Sequence, residues 1–184
     1  MNKNILDFYF KVINLKETKR TGWIDLGIDN PESVMDHIGG TMLLAMAINN
    51  EKELNLDMNK VYEMIAIKEF KKMVPDNKEF SPVEFLNLLS NSDTLVDSYN
   101  EYLEGTSKES KFVSMVSKLE SDMQAKVYEK EGLLTEENAL EDIKNHPDDI
   151  SIKTVNKPSD AWLNYNRKFY DELFTSLSLD IEEL

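Results

Sequence analysis

The sequence predicts an all-α fold, a single helical bundle, and three observations lead to that prediction. Apolar residues recur at spacings of three and four along most of the 184 residues, which is the periodicity of helices that bury one face. Proline and glycine stand mainly between these apolar segments, and no alternating pattern with a hairpin turn indicates a β-sheet. Because the composition does not shift along the chain, we expect one domain over residues 1–184.

The first predicted helix covers residues 4–16, where apolar side chains lie at helical spacing. Residues 17–33 are expected to form a polar loop. Three residues at the end of this loop are alternative caps for the helix that follows. They are Asp29, Asn30 and Ser33.

The second predicted helix, residues 34–50, is apolar on nearly every side, which is typical of a central, buried helix. The pair Gly39-Gly40 lies inside it. Each glycine costs about 1 kcal/mol relative to alanine in a helix interior. We therefore expect another helix or a ligand to approach the backbone closely at this pair.

The later helices are predicted from caps and stop signals. The longest of them is expected to turn six apolar side chains inward: Phe112, Val113, Val116, Leu119, Met123 and Val127. In chain order the predicted segments are Asp57 to near Met73, Ser81 to about Leu89, about Thr94 to Leu103, Thr106 to before Gly132, Thr135 to Pro147, and residues 159–177.

Charge and composition limit the classes of function. The formal charge of −14 and the pI near 4.6 indicate a surface that repels phosphate backbones, so we expect no general nucleic-acid binding. A phosphorylated ligand would need a local basic pocket. Cysteine is absent, which excludes disulfides and thiolate metal sites. No apolar run reaches membrane-spanning length and no signal-peptide core is present, so we expect a cytoplasmic protein without membrane contact.

Two segments carry a recognisable motif. A Glu-Ser-Val run at 32–34 precedes His37 at the start of one apolar helix, and a second apolar helix ends at Lys68-Glu69. This layout resembles the HD-domain phosphohydrolases, most closely the small 5′-deoxynucleotidases, over roughly residues 5–130. The residues after 130 match no part of the pattern. The resemblance implies an HD-domain-like bundle and a nucleotide or other small phosphorylated ligand.

The same resemblance implies a divalent metal, Mn²⁺, Co²⁺ or Mg²⁺, held by two histidines and two aspartates. Imidazole and carboxylate suit a first-row metal that activates water. His37 stands at the first ligand position, while Lys68, Glu69 and Ser117 occupy the other three. Because a protonated lysine places positive charge where the cation would lie, we expect no metal cofactor.

Two further family positions are changed. The catalytic acid that the resemblance implies three residues beyond the metal pair falls on Lys72. A later aspartate falls on Asn77, or on Asp76 with a shift of one residue. The only other histidine, His146, lies in a turn far from the motif positions. A different alignment therefore does not restore the implied ligand set.

Each candidate residue also has a purely structural interpretation. His37 is either a ligand or a hydrogen-bonded core residue. Lys68 and Glu69 form either a buried charge network or a solvated helix end. Arg20 and Trp23 resemble the family's loop near the nucleotide, where arginine suits a phosphate and tryptophan covers a sugar or base. Alternatively, Trp23 closes the edge of the core.

The changed site predicts a protein that has lost metal binding and phosphohydrolase activity and binds a nucleotide or a partner in the former cleft. The alternative is a divergent metal-dependent phosphohydrolase that acts on nucleoside monophosphates. A protein-interaction scaffold without a small ligand is a third interpretation. The resemblance implies a homodimer, and the apolar helices permit one.

Overall fold

The computed structural model describes residues 3–73 and 80–135. Within these ranges the chain is all-α, with one isolated β-bridge between Lys19 and Ser33 and no strand, so the predicted fold class is confirmed. The α-helices in chain order are α1 (Lys3–Val12), α2 (Thr21–Asp25), α3 (Val34–Lys52), α4 (Met58–Ile67), α5 (Pro82–Leu86), α6 (Asp93–Glu104) and α7 (Lys108–Lys130). Two 3-10 helices, Ile13–Lys16 and Lys68–Met73, directly follow α1 and α4.

The described residues form two compact units. The first contains residues up to 19 and residues 32–114, and the second contains residues 20–31 and those from 115 onward. In the first unit α4 packs against α3 and α6. The side chains of Val61, Met64 and Ile65 on α4 are 0% exposed, so this helix forms the centre of the first unit's core. The single domain stays a prediction.

Three phenylalanine rings anchor the 3-10 helix Lys68–Met73 in the first unit. The rings of Phe8 and Phe85 stack with their centres 4.7 Å apart. Phe70 meets both rings edge-on, at 5.9 Å from Phe8 and 5.3 Å from Phe85. Such edge-to-face pairs are favourable aromatic geometries. Through Phe70 the cluster ties the 3-10 helix to α1 and α5.

The second unit has a hydrophobic cluster of its own, formed by Trp23, Leu26, Ile28, Ala125, Tyr128 and Leu134. Three of these residues fall in the segment 17–33, which the sequence predicts to be a polar loop. That prediction is wrong in part, because α2 forms there. Burial of three apolar side chains from one short segment favours a helical turn, and Gly27, at φ 83°, redirects the chain after it.

Several helix boundaries lie where local sequence signals predict them. Of the three alternative caps for α3, Ser33 is the one used. The Asp57 side chain accepts hydrogen bonds from two backbone N–H groups at the start of α4, and Ser81 caps α5 with proline in its first turn. Gly105 ends α6 in the left-handed conformation, at φ 66°. These signals act over one turn of chain, so tertiary contacts do not override them.

Helix α3 is not buried on nearly every side, although the sequence predicts that it is. One face is buried, and it consists of Val34, His37, Ile38, Thr41, Ala45 and Ile48. Leu43 and Met46 are 65% and 51% exposed. At Gly39 an added Cβ would meet no atom of the described residues within 4 Å. The close approach expected at this glycine is therefore absent within the part of the chain that the structure describes.

The other two long segments also differ in detail. The helix predicted from Asp57 to near Met73 changes at Lys68 from α to 3-10 geometry. Helix α7 begins after Ser107, whose hydroxyl accepts a hydrogen bond from the Ser110 N–H at 3.1 Å, so Ser107 and not Thr106 is the cap. Two side chains predicted to face inward on α7 are exposed by 44% and 46%. These are Met123 and Val127.

Two predicted helices, residues 135–147 and 159–177, lie outside the described residues except for Thr135. Asp76 and Asn77 lie outside them as well. Within residues 3–73 and 80–135, no helix combines the length and the apolar character needed to cross a membrane.

Candidate active site

His37 lies in the first turn of α3, whose backbone is held by a capping box. The Ser33 hydroxyl accepts a hydrogen bond from the Asp36 N–H at 3.1 Å, and the Ser33 N–H donates to the Asp36 carboxylate at 2.8 Å. The bond from the Ser33 N–H to the Asp36 carboxylate and, after it, a bond from the Ser33 hydroxyl to the same carboxylate at 2.8 Å lower the pKa of Asp36. The Val34 N–H donates to the Thr18 carbonyl at 2.8 Å. These bonds hold the start of α3, and His37 lies on the buried face of the helix with only 1% of its surface exposed.

Glu69 lies in the 3-10 helix after α4, and its carboxylate is buried among charged groups. Glu69 Oε1 lies 3.7 Å from His37 Nε2 and contacts the Lys68 ammonium. Oε2 lies 3.0 Å from Lys72 Nζ, a charge contact without the alignment of a hydrogen bond. Since a 3-10 helix stacks residues i and i+3, it brings Lys72 to Glu69. The side chains of Lys68 and Glu69 are each 7% exposed, so these two form a buried ion pair.

The pKa of Glu69 reflects this balance of burial and charge. Burial is the largest single influence and raises the pKa. The charges of Lys68 and Lys72, the hydrogen bond from Lys68 and the charge of His37 together outweigh burial and lower the pKa of Glu69 to about 2. Solvent screens the effect of the Lys72 charge on this pKa more than that of the Lys68 charge, because the Lys72 side chain is 43% exposed. Glu69 is therefore ionised at neutral pH.

Glu32 brings a second carboxylate to His37. One Glu32 oxygen lies within 4.8 Å of a His37 ring nitrogen. Glu32, His37 and Glu69 thus present the carboxylate and imidazole donors that suit Mn²⁺ or Co²⁺. Lys68 contacts the same Glu69 oxygen that lies nearest His37 Nε2. Glu32 and His37 are therefore better candidates than Glu69 for donors to a divalent cation in the first unit.

A cavity of about 310 Å³ opens beside Glu69. It is lined by Lys68, Glu69, Lys71, Lys72, Tyr99, Tyr102 and Leu103. Burial, followed by the charge of Glu69, raises the pKa of Tyr102, although a hydrogen bond with Ser114 partly offsets both. The Tyr102 phenol is therefore protonated near neutral pH and can donate a hydrogen bond.

In the second unit Arg20 is tied to side chains of α7. One Arg20 nitrogen donates to the Ser121 hydroxyl at 3.0 Å, and the other lies 3.9 Å from Glu120 Oε2. The guanidinium carbon lies 5.6 Å from the centre of the Trp23 ring, which is a cation–π distance. These contacts hold Arg20 in place. Its role toward a phosphate stays a prediction.

Trp23 packs into the hydrophobic cluster of the second unit. Its ring meets Tyr128 edge-on, with the ring centres 5.3 Å apart. Only 7% of Trp23 is exposed. This burial agrees with the interpretation of Trp23 as a residue that closes the core, and it leaves little ring surface for a sugar or base. The assignment of Trp23 to a ligand also stays a prediction.

The structure brings His37, Lys68, Glu69 and Lys72 together in the first unit. Ser117, the fourth family position, is a half-buried residue of α7 in the second unit, and its carbonyl accepts a hydrogen bond from the Ser121 hydroxyl at 3.1 Å.

Sequence reasoning missed two groups of residues near the site. In the sequence Glu32 stands out only as part of the motif, because it precedes the helix and helical spacing does not relate it to His37. Tyr99 and Tyr102 are three residues apart on α6, and their spacing alone does not show that they reach the 3-10 helix. The signal that indicates Glu32 is its position as a carboxylate directly before the Ser33 cap of α3.

Comparisons with known proteins show what this chain is similar to. The family model of the HD domain matches residues 12–68. The 5′-deoxynucleotidase HDDC2 of Xenopus laevis is 32% identical, over 69% of this chain and 70% of the relative. HDDC2 of Dictyostelium discoideum is 27% identical over 97% of each chain. The 5′-deoxynucleotidase YGK1 of Saccharomyces cerevisiae is 28% identical over 86% of this chain and 81% of the relative.

Solved structures agree in fold. A conserved hypothetical protein from Pyrococcus furiosus has a TM-score of 0.59 at 22% identity, over 91% of this chain and 98% of that one. The PH0347 protein from Pyrococcus horikoshii has a TM-score of 0.58, also at 22% identity, over 91% of this chain and 97% of that one. At this level of identity the likeness supports the fold alone.

The expectation that the chain is not an enzyme is wrong. The relatives from Xenopus, Dictyostelium and Saccharomyces are all named 5′-deoxynucleotidase, which is the name of an enzyme. The replacements at the Lys68 and Ser117 positions, on which that expectation rested, do not outweigh the enzyme names of these relatives. With the HD-domain match and a relative at 32% identity, the chain belongs to the HD-domain phosphohydrolase family and is related to its 5′-deoxynucleotidase branch.

Proposed function

We propose that this chain is a metal-dependent phosphohydrolase that removes the phosphate from nucleoside 5′-monophosphates, as the alternative reading of its sequence expects. The observation that supports the proposal is that a Glu32 carboxylate oxygen lies within 4.8 Å of a His37 ring nitrogen, which pairs two donors that suit a first-row divalent cation. The names of the relatives supply the substrate class.

The donors near His37 would hold the cation. Glu32 and His37 are the residues of the first unit that fit it, since Lys68 contacts the Glu69 oxygen nearest the imidazole. When bound, such a cation acidifies a water molecule and polarises a phosphoryl oxygen. This arrangement differs from the four-residue set that the sequence resemblance implies, because Glu32 takes the place of a ligand after α4.

The charged residues of the 3-10 helix prepare the site for a phosphate. Glu69 stays ionised at neutral pH because Lys68 and Lys72 contact its two oxygens. The Lys68 ammonium is held in a water-poor position, 7% exposed, where a fixed charge acts more strongly than in solvent. Lys68 thereby keeps Glu69 ionised, and the more exposed Lys72 is the ammonium that can face a phosphoryl oxygen, where a positive charge stabilises the negative charge that develops during transfer.

The test is release of inorganic phosphate from deoxynucleoside 5′-monophosphates in the presence of Mn²⁺, Co²⁺ or Mg²⁺. We expect metal-dependent turnover that EDTA abolishes. His37→Ala and Glu32→Gln should each lower kcat by about a hundredfold or more, because loss of a ligand costs at least as much as loss of its supporting contacts.

Glu51→Gln is the matched control for Glu32→Gln, because Glu51 is an exposed residue in the last turn of α3. It should leave turnover unchanged. The 3′-monophosphates of the same nucleosides should be poor substrates. Turnover that survives both His37→Ala and Glu32→Gln would show that the activity does not arise at this site, and absence of turnover with every metal would overturn the proposal.

A further inference from the structure

The cavity beside Glu69 is lined in part by residues to which the sequence motif gives no ligand-binding role. We infer that it binds the phosphate group of a phosphomonoester through the ammonium groups of Lys71 and Lys72 and the hydroxyl of Tyr102. The inference deepens the proposed function, on which it rests, by naming residues that would take the substrate's phosphate. These three residues all line the cavity of about 310 Å³.

The charge of the cavity suits a dianion. Lys68, Lys71 and Lys72 supply three ammonium groups, and Glu69 is the single carboxylate among the described residues of the lining. Glu69 already contacts both Lys68 and Lys72, and Lys71 has no ion-pair partner among the described residues. The described residues of the lining thus hold two positive charges in excess. A phosphomonoester carries about −1.5 to −2 charges near pH 7, which matches that excess.

This local excess is the opposite of the charge on the whole chain. With a formal charge of −14, the protein surface repels anions in general. The cavity nevertheless collects three lysines from five consecutive residues, 68–72. The lysines differ in exposure, because the Lys68 side chain is 7% exposed and the Lys72 side chain is 43% exposed. Lys71 and Lys72 are the ones that a ligand can reach from solvent.

The other lining groups suit the rest of a small phosphorylated molecule. Tyr102 keeps its proton near neutral pH and can donate it in a hydrogen bond to a phosphate oxygen. Tyr99 and Leu103 add apolar surface, against which a sugar or base can pack. The cavity volume lies at the lower end of small-molecule sites, which begin at roughly 300 Å³. The lining therefore combines anion donors with an apolar wall.

The cavity also adjoins the imidazole of the proposed site. Glu69 lines the cavity, and its Oε1 lies 3.7 Å from His37 Nε2. A phosphate held by Lys71 and Lys72 would consequently be separated from His37 by the carboxylate of Glu69. This places a bound phosphomonoester on the Glu69 side of His37, with Glu69 between the lysines and the imidazole.

The test is isothermal titration of inorganic phosphate and of dAMP into the full-length, EDTA-treated protein. Wild type should bind both. Lys71→Gln and Lys72→Gln should each weaken binding by about tenfold, the usual effect of losing a hydrogen bond to a charged group. Tyr102→Phe should weaken it less. Lys108→Gln is the matched control, because Lys108 is an exposed lysine of the same unit outside the cavity lining.

The two proposals fail in different ways. Binding that needs Lys71 and Lys72, without hydrolysis under any metal, would overturn the proposed function and keep this inference. Hydrolysis whose KM is unchanged in Lys71→Gln and Lys72→Gln would keep the function and overturn the inference. If Lys108→Gln weakens phosphate binding as much as Lys71→Gln and Lys72→Gln do, the effect is one of general charge and the inference is overturned. The inference is also overturned if wild type binds neither phosphate nor dAMP.

Discussion

The ammonium of Lys68 contacts the carboxylate of Glu69, and the two side chains are each 7% exposed. The Lys68–Glu69 pair is thus a buried charge network and not a solvated helix end. Removing one partner of such a pair leaves an uncompensated charge, which typically costs about 3–5 kcal/mol, whereas a solvated pair contributes about 1 kcal/mol or less. Lys68 therefore supplies a positive charge that balances Glu69.

Lys68→Met is expected to lower the free energy of unfolding by about 3 kcal/mol, because it keeps the bulk of the stem and removes the charge. Chemical denaturation measures the loss. Lys60→Met is the matched control: Lys60 Nζ lies 2.6 Å from Glu101, but its side chain is 44% exposed. That change should cost about 1 kcal/mol or less. A neutral or stabilising Lys68→Met would mean that the pair does not stabilise the fold.

Acid should destabilise the metal-free protein partly through Glu69. Its pKa is about 2 in the folded protein, below the ordinary value of 4.5, so its contribution to stability is present above pH 4.5 and is lost as the pH falls toward 2. The contribution is on the order of 3 kcal/mol. Between pH 6 and pH 2.5, the free energy of unfolding should therefore fall less steeply for Glu69→Gln than for wild type. Parallel curves for the two proteins would contradict the prediction.

The parts of the fold that the sequence predicted are those set by one turn of chain. Ser33, Asp57 and Ser81 act as caps because each bonds to backbone groups two or three residues away. The α to 3-10 change at Lys68 was not predictable, since it depends on Phe70 packing against rings from distant helices. The apolar composition of α3 also led to a wrong prediction of burial on nearly every side, because Leu43 lies on the exposed face of this helix.

The candidate site was predicted only in part for the same reason. The motif placed His37 and Glu69 among the candidates, and the structure brings them to 3.7 Å. Glu32 precedes the capped start of α3, so its approach to His37 depends on loop geometry that no periodicity encodes. Tyr102 reaches the cavity only through the packing of α6 on α4.

Gly39→Ala should stabilise the protein by about 0.5–1 kcal/mol. Gly39 lies inside α3, where glycine costs helix stability, and an added methyl would meet no described atom within 4 Å. Thermal and chemical unfolding measure the gain. Gly105→Ala is the opposite control, because Gly105 has φ 66° and alanine is strained there. A loss of stability in Gly39→Ala would show that something approaches this backbone closely in solution.

Metal binding should stabilise the folded protein. A ligand that binds only the folded state at about 100 times its Kd adds about 2.7 kcal/mol. We expect Mn²⁺ to raise the Tm of wild type and of Glu51→Gln, and EDTA to reverse the rise. His37→Ala and Glu32→Gln should show little rise. An equal rise in these two variants would place the bound ion at other residues.

Thr41→Val should stabilise the protein, although it removes a polar group from the same face of α3 that carries His37. The Thr41 side chain is 0% exposed, and its hydroxyl has no hydrogen-bond partner among the described residues. Burying an unpaired hydroxyl costs about 1–3 kcal/mol, and valine has nearly the same shape without that cost. The gain is read from chemical denaturation of metal-free protein.

Ser98→Ala provides the contrast for Thr41→Val. Ser98 is equally buried, at 2% exposure, but its hydroxyl donates to Glu63 Oε2 at 2.6 Å, so its removal should cost about 1–2 kcal/mol. If Thr41→Val destabilises by a similar amount, the Thr41 hydroxyl is paired in solution. If it stabilises the protein but slows phosphate release, the hydroxyl is unpaired at rest and serves the bound substrate, since Thr41 lies one helical turn beyond His37.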